Sequence, residues 1–73
     1  MKFEDFKVGE IYIFEMHNHI SIDLCVDTTI QHIYMKIVKN ITTHYTTDRS
    51  FRLSKEYFPY YRPMSQLEKL KYL

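Results

Sequence analysis

Three groups of residues in this chain could do chemistry: four histidines, a cysteine between two aspartates, and the aromatic run Tyr57-Phe58-Pro59-Tyr60-Tyr61-Arg62. His17 and His19 would share one side of an extended strand, with His32 and His44 elsewhere. A metal site needs further donors at fixed spacing, and no HExxH, cysteine pair or ordered carboxylate set accompanies them. His17-Asn18-His19 therefore reads as solvated turn surface, and no metal or cofactor is expected. Cys25 lies between Asp23 and Asp27. Two carboxylates beside a thiol oppose thiolate formation, the reverse of what a nucleophile needs. As an acid and base pair the same aspartates would stand about 13 Å apart along one strand, too far to share a reacting atom. A chain with one glycine cannot build a glycine-rich phosphate loop. No catalytic residue emerges, and the chain is not expected to be an enzyme.

The aromatic run carries the binding chemistry. Tyrosine and arginine offer large contact area with a polar handle and are enriched where protein interfaces hold most of their energy. Tyr57, Tyr60, Tyr61 and Arg62 are therefore the candidate partner-binding residues. The same side chains could stack on unpaired bases, with lysines 36, 39 and 55 for phosphate. The structural alternative places Tyr57 and Phe58 at the base of the core and packs Tyr60 and Tyr61 on the C-terminal helix.

These residues must be positioned by short strands. From Ile20 the alternation is regular: Ile20, Ile22, Leu24 and Val26 on one side, Ser21, Asp23, Cys25 and Asp27 on the other. That pattern predicts a half-buried strand with a wet polar face. The preceding run, Ile11 to Met16, is apolar on both sides, so its second face, Ile11 and Ile13, needs a cover. His17-Asn18-His19 predicts a tight hairpin turn, with asparagine tolerating positive φ. Further strands are expected at 30–39, at 42–47 as a polar edge open to a partner, and at 50–54. Residues 1–8 form a lead-in, and Gly9 marks a backbone angle or close approach that other residues resist. Pro59 and Pro63 make 55–64 an irregular crossing segment. Ser65 and Glu68 have the spacing of a capping box, opening a helix over 65–73 with Leu67, Leu70 and Leu73 as its apolar stripe. So short a helix needs a docking surface, either the Ile11 and Ile13 face or a second copy in a homodimer.

The predicted fold is mainly β: one domain of five short antiparallel strands, as a small barrel or a strongly bent sheet, with a short C-terminal α-helix. Asp5-Phe6-Lys7-Val8-Gly9-Glu10-Ile11-Tyr12-Ile13-Phe14 resembles the first strand of SH3-like barrels, in which an apolar lead-in and a Gly-acidic pair precede an aromatic strand. The resemblance implies an SH3-like fold over about residues 6 to 58 and carries no function with it. At 73 residues such a domain buries only about 60% of its unfolded surface. A single cysteine denies it a disulfide, so packing must hold it. The N-terminus lacks the apolar stretch of a signal peptide and no run has membrane-spanning length, so a cytoplasmic protein without membrane attachment is expected. Ten basic and nine acidic residues give a net charge of +1, which argues against strong non-specific polyanion binding. The absence of alanine beside abundant isoleucine, lysine and tyrosine reads as AT-rich coding, of the kind common in phage and mobile elements. The resulting expectation is a monomeric or homodimeric protein-binding module, encoded by a phage or mobile element and acting on a host enzyme or defence component, with a nucleic-acid-binding small barrel as the alternative.

Overall fold

A computed structural model describes residues 1–42 and 49–73. Five antiparallel strands form one sheet that does not close: β1 (Ile11–Met16), β2 (His19–Thr28), β3 (Ile33–Asn40), β4 (Phe51–Leu53) and β5 (Tyr61–Pro63) lie in the order β4-β3-β2-β1-β5. One helix, α1 (Gln66–Tyr72), follows, and 3-10 turns cover Phe3–Asp5 and Lys55–Tyr60. The mainly β fold with a short C-terminal helix is as predicted, in its open-sheet form. The expected strand at 42–47 lies outside the described residues except for Thr42, which sits in a turn.

Two strand assignments are corrected. Residues 55–64, expected to be irregular, hold a 3-10 turn and then β5. The prolines do not prevent this: Pro59 is accommodated inside a helix tighter than α, and Pro63 ends an edge strand, where a missing N–H costs no ladder bond. The second correction concerns β2. Ser21, Asp23 and Cys25 were expected in water, but they are 1%, 2% and 0% exposed. Their side carries the main core, which we call the aromatic face: Phe6, Tyr12, Cys25, Ile33, Met35, Leu53 and Tyr61. Ile22 points to the opposite, isoleucine face with Ile13 and Met64, flanked by Ile11, Ile20, Ile41 and Tyr72. β2 is thus buried on both sides, because the chain after β4 returns across the aromatic face to reach β5 at the far edge.

The hairpin forms at His17-Asn18, where Met16 pairs with His19. The positive φ falls on His17, at 56°, rather than on the asparagine. Histidine is among the side chains that tolerate this region best after glycine. Gly9 has φ of 89° and an added Cβ would meet nothing within 4 Å, so backbone angle and not crowding explains the glycine. There its N–H donates to the Cys25 carbonyl at 2.8 Å and starts the β1–β2 pairing. Between β2 and β3 the register shifts twice, leaving Val38 and Val26 as the extra residues of two bulges.

The capping box forms as expected: the Glu68 N–H donates to Ser65 Oγ at 3.1 Å and the Ser65 N–H to Glu68 Oε1 at 3.0 Å. The predicted stripe, however, faces away from the protein, with Leu67, Leu70 and Leu73 exposed by 78%, 77% and 67%. Tyr72, with Met64 just before the helix, makes the contact to the isoleucine face. The Ile11 and Ile13 side is therefore covered by the C-terminal segment, through different residues.

Ser21→Asp should destabilise as severely as Ile22→Asp, each by about 3 kcal/mol or more, since both bury a new unpaired charge; thermal melts of both variants check this. Tyr72→Ala should cost about 1 kcal/mol of lost burial. Leu67→Ser should change stability by no more than about 0.5 kcal/mol. Urea titrations of the two distinguish the docked face of α1 from the free one.

Candidate functional site

The site grows from Phe14. Its position in β1 directs it to the aromatic face, where it is cross-strand neighbour of Ser21 in β2 and Tyr61 in β5. Four rings surround it: Tyr61 at 5.0 Å between centroids, His19 at 5.8 Å, and Tyr57 and Tyr60 at 6.3 Å each. Tyr57 and His19 stand nearly edge-on to it, giving the walls of a cleft of about 280 Å³ whose other linings include Phe51, Ile37, Met16 and Leu53.

The floor is polar. Ser21 Oγ donates to Asp23 Oδ1 at 2.8 Å, and the Tyr61 hydroxyl donates a short bond to Asp23 Oδ2. Burial pushes the Asp23 carboxyl above its ordinary value, while the bonds from Tyr61 and Ser21 and the nearby His19 pull it part of the way back. The Tyr61 hydroxyl is raised too, by its burial and then by the charge of Asp23. No ion pair joins Asp23 to a basic side chain among the described residues.

The four predicted binding residues are not one patch. Tyr57, 38% exposed, lines the cleft; Tyr60, 39% exposed, meets the Phe14 ring without lining it; Tyr61 is core. Arg62 alternates to the other side of β5 and bridges Glu15 at 3.0 Å and Glu68 at 2.7 Å. Its work there is to tie β5 to β1 and α1. Of the lysines of the nucleic-acid alternative, Lys39 lies opposite Ile22, away from the aromatic face, with its ammonium donating to the Tyr72 carbonyl, whereas Lys55 opens the 3-10 turn that carries Tyr57 and lies beside Phe58. Cys25 is buried and its thiol is raised first by that burial and only then by Asp27, which leaves it an inert core residue. Among the described residues no three His, Cys, Asp or Glu side chains gather as metal ligands; His44 lies outside them.

A second, wider hollow of about 440 Å³ runs over Phe3, Ile33, Leu53 and Phe58, with His32, Arg52 and Lys55 along it. It lacks a buried functional group, which is why the Phe14 cleft is the better candidate. The sequence reading overlooked Phe14 and Ser21 as site residues, and it weighed His19 and Asp23 only for metal binding and acid–base chemistry before setting them aside. Their signal was the pairing of Phe14 with a position whose neighbour is a carboxylate, visible once the two-residue hairpin sets the register.

Comparison of the chain with known protein families, characterised proteins and solved structures finds no match.

The Asp23 shift fixes a pH dependence. A carboxyl raised in the folded state keeps its proton where the unfolded chain has lost it, so its contribution makes stability fall as pH rises from the ordinary carboxyl value through the raised one. Asp23→Asn should flatten that decline in urea melts from mildly acid to neutral pH and stay within about 1 kcal/mol of the parent at neutrality, because an amide can serve both hydroxyls. Asp23→Ala, which strands them, should cost about 3 kcal/mol. Glu68 acts oppositely: its bonds from the Ser65 N–H and Arg62 lower it, so its support is lost only as pH falls through that lowered value.

Proposed function

We propose that the chain is a non-enzymatic protein-binding module that receives a projecting side chain of its partner in the Phe14 cleft. The observation that carries this reading is the pair of partly exposed tyrosines packed against Phe14, Tyr57 as part of the cleft wall and Tyr60 beside it. A ring left accessible next to a concave apolar surface is the arrangement in which interface residues contribute most. The position of Arg62 and Lys39 away from the aromatic face favours this over nucleic-acid binding, whose phosphate contacts need basic groups beside the stacking rings. The short 3-10 crossing between strands at opposite edges supports reading the fold as an SH3-like module. No helix among the described residues is long and apolar enough to cross a membrane. We place the module in the cytoplasm on the composition of the chain and its single, unpaired cysteine, with a host enzyme or defence component as partner if the gene is carried by a phage.

The test is a Tyr57→Ala, Tyr60→Ala double variant. It should stay folded, within about 1 kcal/mol of the parent, and bind about tenfold or more weakly to the proteins that the parent captures from its source cell. An unchanged capture profile would overturn the cleft as the binding surface. Tight binding of labelled oligonucleotides with a steep loss at higher salt would replace the protein reading with the nucleic-acid one.

A further inference from the structure

The floor of the cleft holds a buried carboxyl that has no ion pair to a basic side chain among the described residues and feels His19 only through space. Asp23 is 2% exposed and accepts from two hydroxyls, Ser21 and Tyr61, the donor set that suits an ionised carboxylate. Such groups are ordinarily paired with a cation when buried, yet no ion pair to a basic side chain reaches it among the described residues. Phe14, Tyr57 and His19 line the same cleft, Tyr57 and His19 each T-shaped to Phe14. Aromatic faces attract an ammonium group through the ring quadrupole, most strongly where water is excluded, and a carboxylate beneath them adds to the same field.

We propose that the cleft is a cation-recognition site, which takes the ammonium group of a lysine side chain, free or methylated, from the protein partner. The inference rests on the protein-binding reading and names what that partner inserts. The volume of about 280 Å³ accommodates an alkylammonium head with part of its methylene stem. Tyr57 and His19 would line the stem, and Asp23 would act through space, its two hydroxyl bonds kept. An apolar side chain would gain the same ring contact but leave the carboxylate uncompensated, so the site discriminates by charge rather than by shape.

The experiment is a titration of the intact protein, followed by amide and aromatic NMR signals, with three capped single residues: N-acetyl-lysine amide, its trimethyllysine counterpart and the neutral N-acetyl-norleucine amide. At least one cationic probe should shift the signals of Phe14, His19 and Tyr57 saturably, and norleucine should bind about tenfold more weakly. Asp23→Asn should lose the same factor while remaining folded. The lysine and norleucine comparison uses the unaltered protein and so decides the matter even if that variant misfolds. Norleucine binding as well as the cations would overturn the cation site and leave an apolar pocket for the partner. No saturable shift with any probe would also overturn it, while the Tyr57 and Tyr60 double variant still tests the protein-binding reading by itself. Which cationic probe binds better distinguishes an unmodified from a methylated lysine.

Discussion

The hydrogen bond from Tyr61 to Asp23 reaches from the edge strand β5 across β1 to the central strand β2, and much of the fold depends on it. β5 is only three residues long, and its ladder to β1 alone is a weak specification of register. A slip of one residue would exchange the two sides of the strand, turning Tyr61 outward and Arg62 inward. Asp23 would then lose a donor it cannot replace from water, and Arg62 would lose both Glu15 and Glu68. The polar pair therefore selects one arrangement where apolar contacts would permit two. Its stability value is modest, since the carboxylate must be desolvated to form it.

Tyrosine serves this small core in a second place. The Tyr12 hydroxyl accepts from the Lys7 N–H at 2.8 Å and donates to the Asp5 carbonyl at 3.3 Å, fastening the lead-in to β1. That sets Phe6 among Tyr12, Phe58 and Tyr61, with ring centroids 5.1 to 5.6 Å away. A buried tyrosine supplies ring area to the core and a polar tip to loop backbone that would otherwise be unsatisfied. In a chain with one glycine and no disulfide, that double use is what lets the lead-in and the 3-10 crossing roof the aromatic face.

The legibility of the sequence followed the range of the interactions. The hairpin at His17-Asn18, the special angle of Gly9 and the capping box of Ser65 and Glu68 depend on neighbours within a few residues, and each was readable. The burial of Ser21, Asp23 and Cys25 was not, because a polar-apolar alternation predicts a wet face only if nothing crosses it. What crosses it is Tyr57 to Tyr61, some 35 residues away in sequence, whose prolines suggested irregular chain. The candidate site was half legible for the same reason. Tyr57 and Tyr60 stood out by type, whereas Phe14 and Asp23 acquire meaning only from the register that sets them beside Tyr61.

The outward leucines show how a local rule can override an apolar pattern. On α1, residues 68, 69 and 72 share one side of the helix and 67 and 70 the other. Glu68 is claimed twice, by the Ser65 N–H that starts the helix and by Arg62 on β5. Both claims pull the Glu68 side toward the sheet, and Tyr72, one turn on, follows it onto Ile13 and Ile22. Lys39 then closes the far end by donating to the Tyr72 carbonyl, one of the last carbonyls of the helix that lack an internal partner. With both ends held by polar contacts, a seven-residue helix has no freedom to roll, and Leu67 and Leu70 must face solvent despite their hydrophobicity. Rotating them inward would bury about 1.5 to 3 kcal/mol of apolar side chain each. It would also break the Arg62 contact, undock Tyr72 and carry the capping glutamate away from β5, which is why the polar anchoring and not the leucine spacing sets the orientation of the helix.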